Sequence, residues 1–244
     1  MRRIALGLLT LSPLVAASSA IVLLLLLPIA ARAQSRDALI EAARAFDEGA
    51  LRANDDNAKP MRVRKWTSPI RLAFRTPGAA PGLVRPTGNA IRAIAAEAGV
   101  IVLDVAIGDS PNFAVSFDEN ESSGQRNCFS QSWSKKGGIY RADLKVNPAY
   151  ASSIDACIIH EAMHAFGFIS HPHAADSVLS YGYRRRALTA LDRHLIRTLY
   201  DPRLAPNLAA QPASQLACRI LGERLAVSGA DIEAVCSARK GPAA

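Results

Sequence analysis

The spacing of hydrophobic residues along this chain predicts helices and strands with polar breaks between them. Apolar residues recur at helical intervals over residues 35–53 and 83–99, which predicts two helices. Shorter apolar or alternating runs predict strands at residues 65–75, 100–107, 112–119 and 138–147. Pro69 suggests that the first strand lies at a sheet edge, whereas the run 100–107 is apolar enough to be buried.

Four further helices are predicted in the second half of the chain. Ser152 or Ser153 caps a helix that continues through residue 164. Apolar residues at 188, 191, 195, 196 and 199 have helical spacing and predict a helix that packs beneath it. Two short helices, at residues 214–224 and from 228 onwards, form a predicted hairpin. The element order predicts an α/β (α+β) domain with a mixed sheet, followed by this small helical hairpin.

Four of the five histidines fall within residues 160–173, and two of them form the motif His160-Glu161-x-x-His164. Positions i and i+4 are stacked neighbours on one face of a helix, so both imidazoles can reach one metal ion. Zinc lowers the pKa of a water bound to it, and the adjacent Glu161 carboxylate can accept that water's proton. The alternative is an amphipathic helix that carries two histidines by chance.

Gly167 follows the second histidine by three residues, where a positive φ would end the helix and turn the chain back. This segment resembles the metzincin zinc peptidases, whose signature is H-E-x-x-H-x-x-G-x-x-H. The family's third-ligand position falls on Ser170, and His171 arrives one residue later. The alternative third ligands are His173 and Asp176. The resemblance implies a Zn²⁺ site with three histidine ligands: His160, His164 and His171.

Residues 176–181, Asp-Ser-Val-Leu-Ser-Tyr, resemble the S-x-M-S-Y turn beneath the metzincin metal, with Leu179 in the methionine's place. In serralysin- and astacin-like members this tyrosine contacts the zinc or the oxyanion, which implies a catalytic role for Tyr181 beside Glu161. Its alternative role is to hydrogen-bond a loop. The Cys-x-x-His-Glu block and the run Leu-Tyr-Asp-Pro-Arg-Leu at 199–204 are also similar to an uncharacterised bacterial envelope family, domain of unknown function 2927.

Residues 1–33 predict an N-terminal export signal. Two arginines precede a long apolar stretch, which ends at the A-x-A cleavage pattern formed by residues 31–33. Without cleavage, the stretch is long enough to span a bilayer as a membrane anchor. This anchor is the membrane contact that the sequence predicts. The rest of the chain is then periplasmic or secreted. Cleavage removes three arginines and no acidic residue, so the formal net charge falls from +8 to +5.

The remaining positive charge is diffuse, apart from the three arginines at residues 184–186. A solvated loop is the simplest interpretation of this cluster, and a docking patch for anionic polymers or an acidic substrate is the alternative. There is no zinc-knuckle spacing and no basic stripe interleaved with aromatic residues, so no nucleic-acid partner is expected.

All four cysteines lie after the leader, and an even count in an oxidising compartment favours disulfides. Three pairings are possible. Cys218 and Cys236 flank the predicted hairpin, so a bond between them is the simplest arrangement. Cys128 then joins Cys157 at the start of the metal-binding helix. Cysteine ligation of zinc is disfavoured because the chain contains no C-x-x-C pair.

These features divide the chain into a leader (1–33), a helical segment with a linker (34–60), a metzincin-like domain (61–205) and a disulfide-bonded tail (206–244). The leading hypothesis is an exported, monomeric zinc metalloendopeptidase that acts on a peptide or protein substrate, with strand 138–147 bordering the cleft. Glu161 is then the general base and later the proton donor. The alternative is a non-catalytic envelope protein that keeps the zinc-binding fold, and residues 34–60 could serve as a pro-segment.

Overall fold

A computed structural model of the chain describes residues 35–52, 60–118, 128–149, 153–173, 176–181 and 185–239. The predicted leader, the predicted linker 54–59, the loop 119–127 and Arg184 lie outside the described residues. The described part folds as a six-stranded mixed sheet with α-helices packed on it, which confirms the predicted α+β class. Within those ranges, no helix is long and apolar enough to cross a bilayer.

Helix α1, residues 35–50, is built into the core of the domain. It ends three residues earlier than predicted. Its Asp47 accepts hydrogen bonds from Ser214 and Arg239 near the C-terminal end of the chain. Buried apolar side chains at helical spacing form its inner face: Leu39, Ala42, Ala43, Phe46 and Ala50.

The sheet is parallel except for one strand. Strand β2 pairs in parallel with β3 on one side and with β4 on the other, and β4 pairs in parallel with β6. Strand β5 pairs antiparallel along the full length of β6, so β1 lies on the opposite side of β6, beside its first two residues. The strands are β1 Lys65–Trp66, β2 Ile70–Phe74, β3 Val102–Asp104, β4 Phe113–Phe117, β5 Cys128–Lys135 and β6 Gly138–Val146.

The places of three predicted strands within the sheet were wrong. The predicted strand 65–75 is divided near Pro69 into β1, which lies at the end of the strand order, and β2, which is internal because it pairs with both β3 and β4. Pro69 precedes β2 and therefore removes no ladder hydrogen bond. Strand β3, predicted to be buried, lies at an edge, with its Leu103 49% exposed and Ile101, the residue before it, 63% exposed. Strand β6, predicted to border the cleft, is flanked on both sides. The edge next to it is β5, which was not predicted because its serines and glutamine conceal a strand pattern.

Helix α3 (Ile154–Ala165) packs on β5 and β6. Helix α2 (Pro81–Ala98) packs against α3 and against α4 (Ala190–Leu199). Gly99 ends α2 with a left-handed φ of 67°. Thr189 caps α4, where its hydroxyl accepts from the amide of Asp192 and the Asp192 carboxylate accepts from the Thr189 amide. Leu195, Ile196 and Leu199 are fully buried, as their spacing predicted.

Two disulfides join separate elements of the fold, and both predicted pairings are confirmed. Cys218 and Cys236 link α5 (Ala210–Arg224) to α6 (Gly229–Ser237), with their Cα atoms 5.6 Å apart. Cys128 and Cys157 link the first residue of β5 to the first turn of α3, with their Cα atoms 5.8 Å apart. The edge strand is therefore covalently attached to the helix that carries the histidine motif.

Candidate metal centre

Helix α3 is buried on nearly every side, with His160 buried and His164 half-buried. His160 and His164 are one turn apart on the same face, as the motif spacing requires. Their Nε2 atoms are 3.1 Å apart, and His160 is only 3% exposed.

Gly167 turns the chain back immediately after α3. Its φ is +111°, and a side chain here would collide with the carbonyl oxygen of Arg64. The turn brings the Phe168 carbonyl to within 2.6 Å of the His164 Nδ1 atom. Glycine is thus needed both for the backbone angle and for the close approach of two chain segments. The predicted turn at this position is confirmed.

The chain that leaves this turn brings His171 to the other two histidines. Its Nε2 atom lies 3.0 Å from that of His160 and 3.3 Å from that of His164. Four-coordinate zinc with nitrogen ligands at about 2.0–2.1 Å separates them by about 3.3 Å. The other two candidates lie elsewhere: His173 is exposed, and Asp176 pairs with Arg185. The three imidazoles therefore form a group that could hold a metal ion.

In two of these rings, the contact made by Nδ1 determines whether Nε2 is free of a proton and able to bind a metal ion. The His160 Nδ1 atom lies 2.7 Å from the Val178 carbonyl oxygen, and His164 makes the equivalent contact with Phe168. A carbonyl oxygen accepts only, so each Nδ1 carries the proton, and each neutral ring has a lone pair on Nε2. Two lone pairs that face each other at 3.1 Å repel unless a cation lies between them. The donor set therefore fits a metal ion.

The turn at residues 177–181 is held by a buried carboxylate on α4. Asp192 is 0% exposed and accepts hydrogen bonds from the Ser177 hydroxyl, the Val178 amide and Thr189. Burial raises the pKa of Asp192, although these hydrogen bonds oppose the shift. Because the carbonyl of Val178 contacts the His160 ring, Asp192 supports the histidine group through the turn backbone.

The two remaining candidates of the turn lie in different environments. Leu179, which stands in the methionine's place, is fully buried. Tyr181 is 49% exposed and stacks on the His171 ring, with centroids 4.5 Å apart. The structure thus brings the Tyr181 side chain to the third histidine, at the exposed side of the group.

Glu161 is buried beside the histidines and pairs with the edge strand. Its Oε2 atom accepts hydrogen bonds from the Ser130 amide at 2.9 Å and from the Ser130 hydroxyl at 2.8 Å. Ser130 was not a candidate from the sequence. The available signal was the predicted Cys128–Cys157 disulfide, since it places the residue two further along β5 beside the next turn of α3.

Helix α1 supports the loop between Gly167 and His171. The Gly49 carbonyl accepts hydrogen bonds from the amides of Ile169 and Ser170, and the Glu48 carboxylate accepts from the amide of His173. The sequence assigned α1 to a separate N-terminal segment and missed this contact. Its contribution to the site depends on backbone groups, which carry no residue-specific signal.

The environment keeps His160 and His164 neutral. Burial, together with the nearby imidazoles of His164 and His171, lowers the pKa of His160 to about 3, although its contact with Val178 acts in the opposite direction. Burial also lowers the pKa of His164. Metal ligands must be unprotonated, so these shifts prepare the rings for binding at neutral pH.

We predict that the metal-free protein loses stability as the pH falls from about 6.5 towards 3. In this window the unfolded chain protonates His160, whereas the folded chain, with a pKa of about 3, does not. Proton binding by the unfolded state alone lowers the free energy of unfolding, here by on the order of a few kcal/mol. Urea denaturation at several pH values measures this slope. His160→Gln should make it shallower, and an unchanged slope would contradict the assignment.

Comparison with known protein families and with curated proteins finds no match to this chain. The resemblance to metzincins therefore depends on the motif residues alone. The candidate site depends on the geometry of its side chains.

Proposed function

We propose that this protein is an exported zinc-dependent endopeptidase. One observation carries the proposal: three histidine Nε2 atoms converge at 3.0–3.3 Å, next to a buried glutamate on the same helix. Three neutral nitrogen donors suit zinc better than calcium or magnesium, which prefer oxygen ligands. Three protein ligands also leave a fourth position for water or substrate, as in catalytic zinc sites.

Each residue of the group has a role in peptide hydrolysis. His160, His164 and His171 would hold the zinc ion. When bound, zinc lowers the pKa of water and polarises a carbonyl group. Glu161 takes the proton of the attacking water and returns it to the leaving amine. Tyr181, half exposed above His171, donates a hydrogen bond to the carbonyl oxygen as it gains negative charge.

The two disulfides support the export part of the proposal. Such bonds persist in the periplasm and outside the cell and are rare in the cytosol. The alternative of a non-catalytic envelope protein relied partly on the late position of His171. That argument is weakened, because the extra residue does not keep His171 from the group. The substitution of Leu179 for methionine remains in its favour.

The test combines metal analysis with peptide hydrolysis on residues 34–244. We expect one zinc ion per chain, cleavage of a complex peptide mixture detected by mass spectrometry, loss of cleavage with a chelator, and recovery on adding zinc. Chelation should also lower the Tm, because a ligand that binds the folded state stabilises it. One bound zinc without cleavage would support the non-catalytic alternative, and no bound zinc would refute both.

A further inference from the structure

Strand β5 and helix α3 are joined by a disulfide and by a hydrogen-bonded pair of side chains, and the spacing between the two contacts is similar along the strand and along the helix. Cys128 bonds to Cys157, and Ser130, two residues further along the strand, pairs with Glu161, four residues further along the helix. Two strand residues advance about 6.6 Å and four helix residues about 6 Å, so the two cross-links are in register. The position of the strand along the helix axis that the disulfide imposes is therefore the one at which Ser130 contacts Glu161.

Ser130 directs two donors at one carboxylate oxygen. Its amide and hydroxyl both lie within 2.9 Å of Glu161 Oε2. Hydrogen bonds to a charged acceptor are the strong ones, and two of them on one atom restrict rotation of the carboxylate. A general base must be held at the correct distance and angle, because small misplacements slow a reaction greatly.

We infer that Ser130 is a positioning residue for Glu161 and that the Cys128–Cys157 disulfide keeps Ser130 in place. The inference rests on the proposed peptidase function. It assigns the first disulfide a role in activity, whereas the second disulfide, Cys218–Cys236, joins α5 to α6, which carry none of the residues assigned to the site.

The kinetic test compares two serines of the same strand. Ser130→Ala should lower kcat about 10-fold with KM unchanged, less than the 10²–10⁴ typical of an entire general base. Ser130→Thr keeps the hydroxyl and should restore most of kcat. Ser132→Ala is the matched control, because Ser132 pairs with Arg64 instead of Glu161. Equal kcat in Ser130→Ala and the wild type would overturn the inference.

The disulfides offer a second matched pair. The double variant Cys128→Ala/Cys157→Ala should lower kcat at a temperature where it is still folded. The double variant Cys218→Ala/Cys236→Ala should lower Tm and leave kcat unchanged. Equal kcat in the two double variants would refute the role of the first disulfide. If the first double variant does not fold, the Ser130 variants decide.

A thermal measurement separates this inference from the peptidase proposal. In the metal-free protein, the sum of the Tm losses of Ser130→Ala and Glu161→Ala should exceed the Tm loss of the double variant by about 2–4 °C. The reason is that each single change removes the same hydrogen bond, from the Ser130 hydroxyl to the Glu161 carboxylate. Additive losses would overturn the inference. If the wild type cleaves no peptide, the peptidase proposal fails, and this cycle alone decides whether Ser130 holds Glu161.

Discussion

Replacing Glu161 by glutamine should lower kcat/KM for peptide hydrolysis by about 10³-fold or more while zinc stays bound. The amide has nearly the same shape but cannot take a proton from water. Its oxygen can still accept both hydrogen bonds from Ser130, so the fold and the histidines are retained. Hydrolysis of a peptide identified from the mixture gives kcat/KM, and metal analysis of the same sample gives the zinc content.

Glu48→Gln is the matched control for that experiment. Glu48 lies on α1 and accepts from the backbone of the histidine loop, outside the imidazole group. The same chemical change there keeps an oxygen that can accept from the His173 amide, so kcat/KM should stay within about twofold. A Glu161→Gln variant that kept both its zinc and its activity would show that another group is the base.

Replacing His171 by alanine should weaken zinc binding by more than about 100-fold, because the loss of one of three protein ligands exceeds the effect of losing a supporting hydrogen bond. Its Nε2 atom lies within 3.3 Å of both other imidazole nitrogens, so removing it opens one side of the group. Titration of the metal-free protein against a competing chelator at fixed pH measures the affinity.

His173→Ala is the control from the same loop. The His173 side chain is exposed, and the hydrogen bond from His173 to Glu48 uses the backbone amide, which alanine keeps. Its zinc affinity should therefore match the wild type. Loss of zinc by His173→Ala together with retention by His171→Ala would exchange their roles. Full affinity in both variants would move the third ligand to another residue, with Asp176 the next candidate.

Features that depend on near neighbours in the chain were determined by the sequence itself. The pair His160 and His164 follows from helical spacing, and the turn at Gly167 follows from the one residue type that tolerates φ of +111° there. The α+β class and the helices followed from apolar periodicity, because each element must bury one face. Both disulfide pairings were predicted, because the hairpin brings Cys218 to Cys236 locally.

Tertiary structure alone decided the contacts between distant segments. The sequence left the identity of the third ligand open, because the path of a loop depends on what packs against it. Here the loop is held by hydrogen bonds to the carbonyl of Gly49 on α1. It also misplaced the sheet edge and missed β5, since strand order is set by pairing across the whole domain and a serine-rich edge lacks an apolar signal. The partnership of Ser130 with Glu161 arises from that pairing, which brings together residues 31 positions apart.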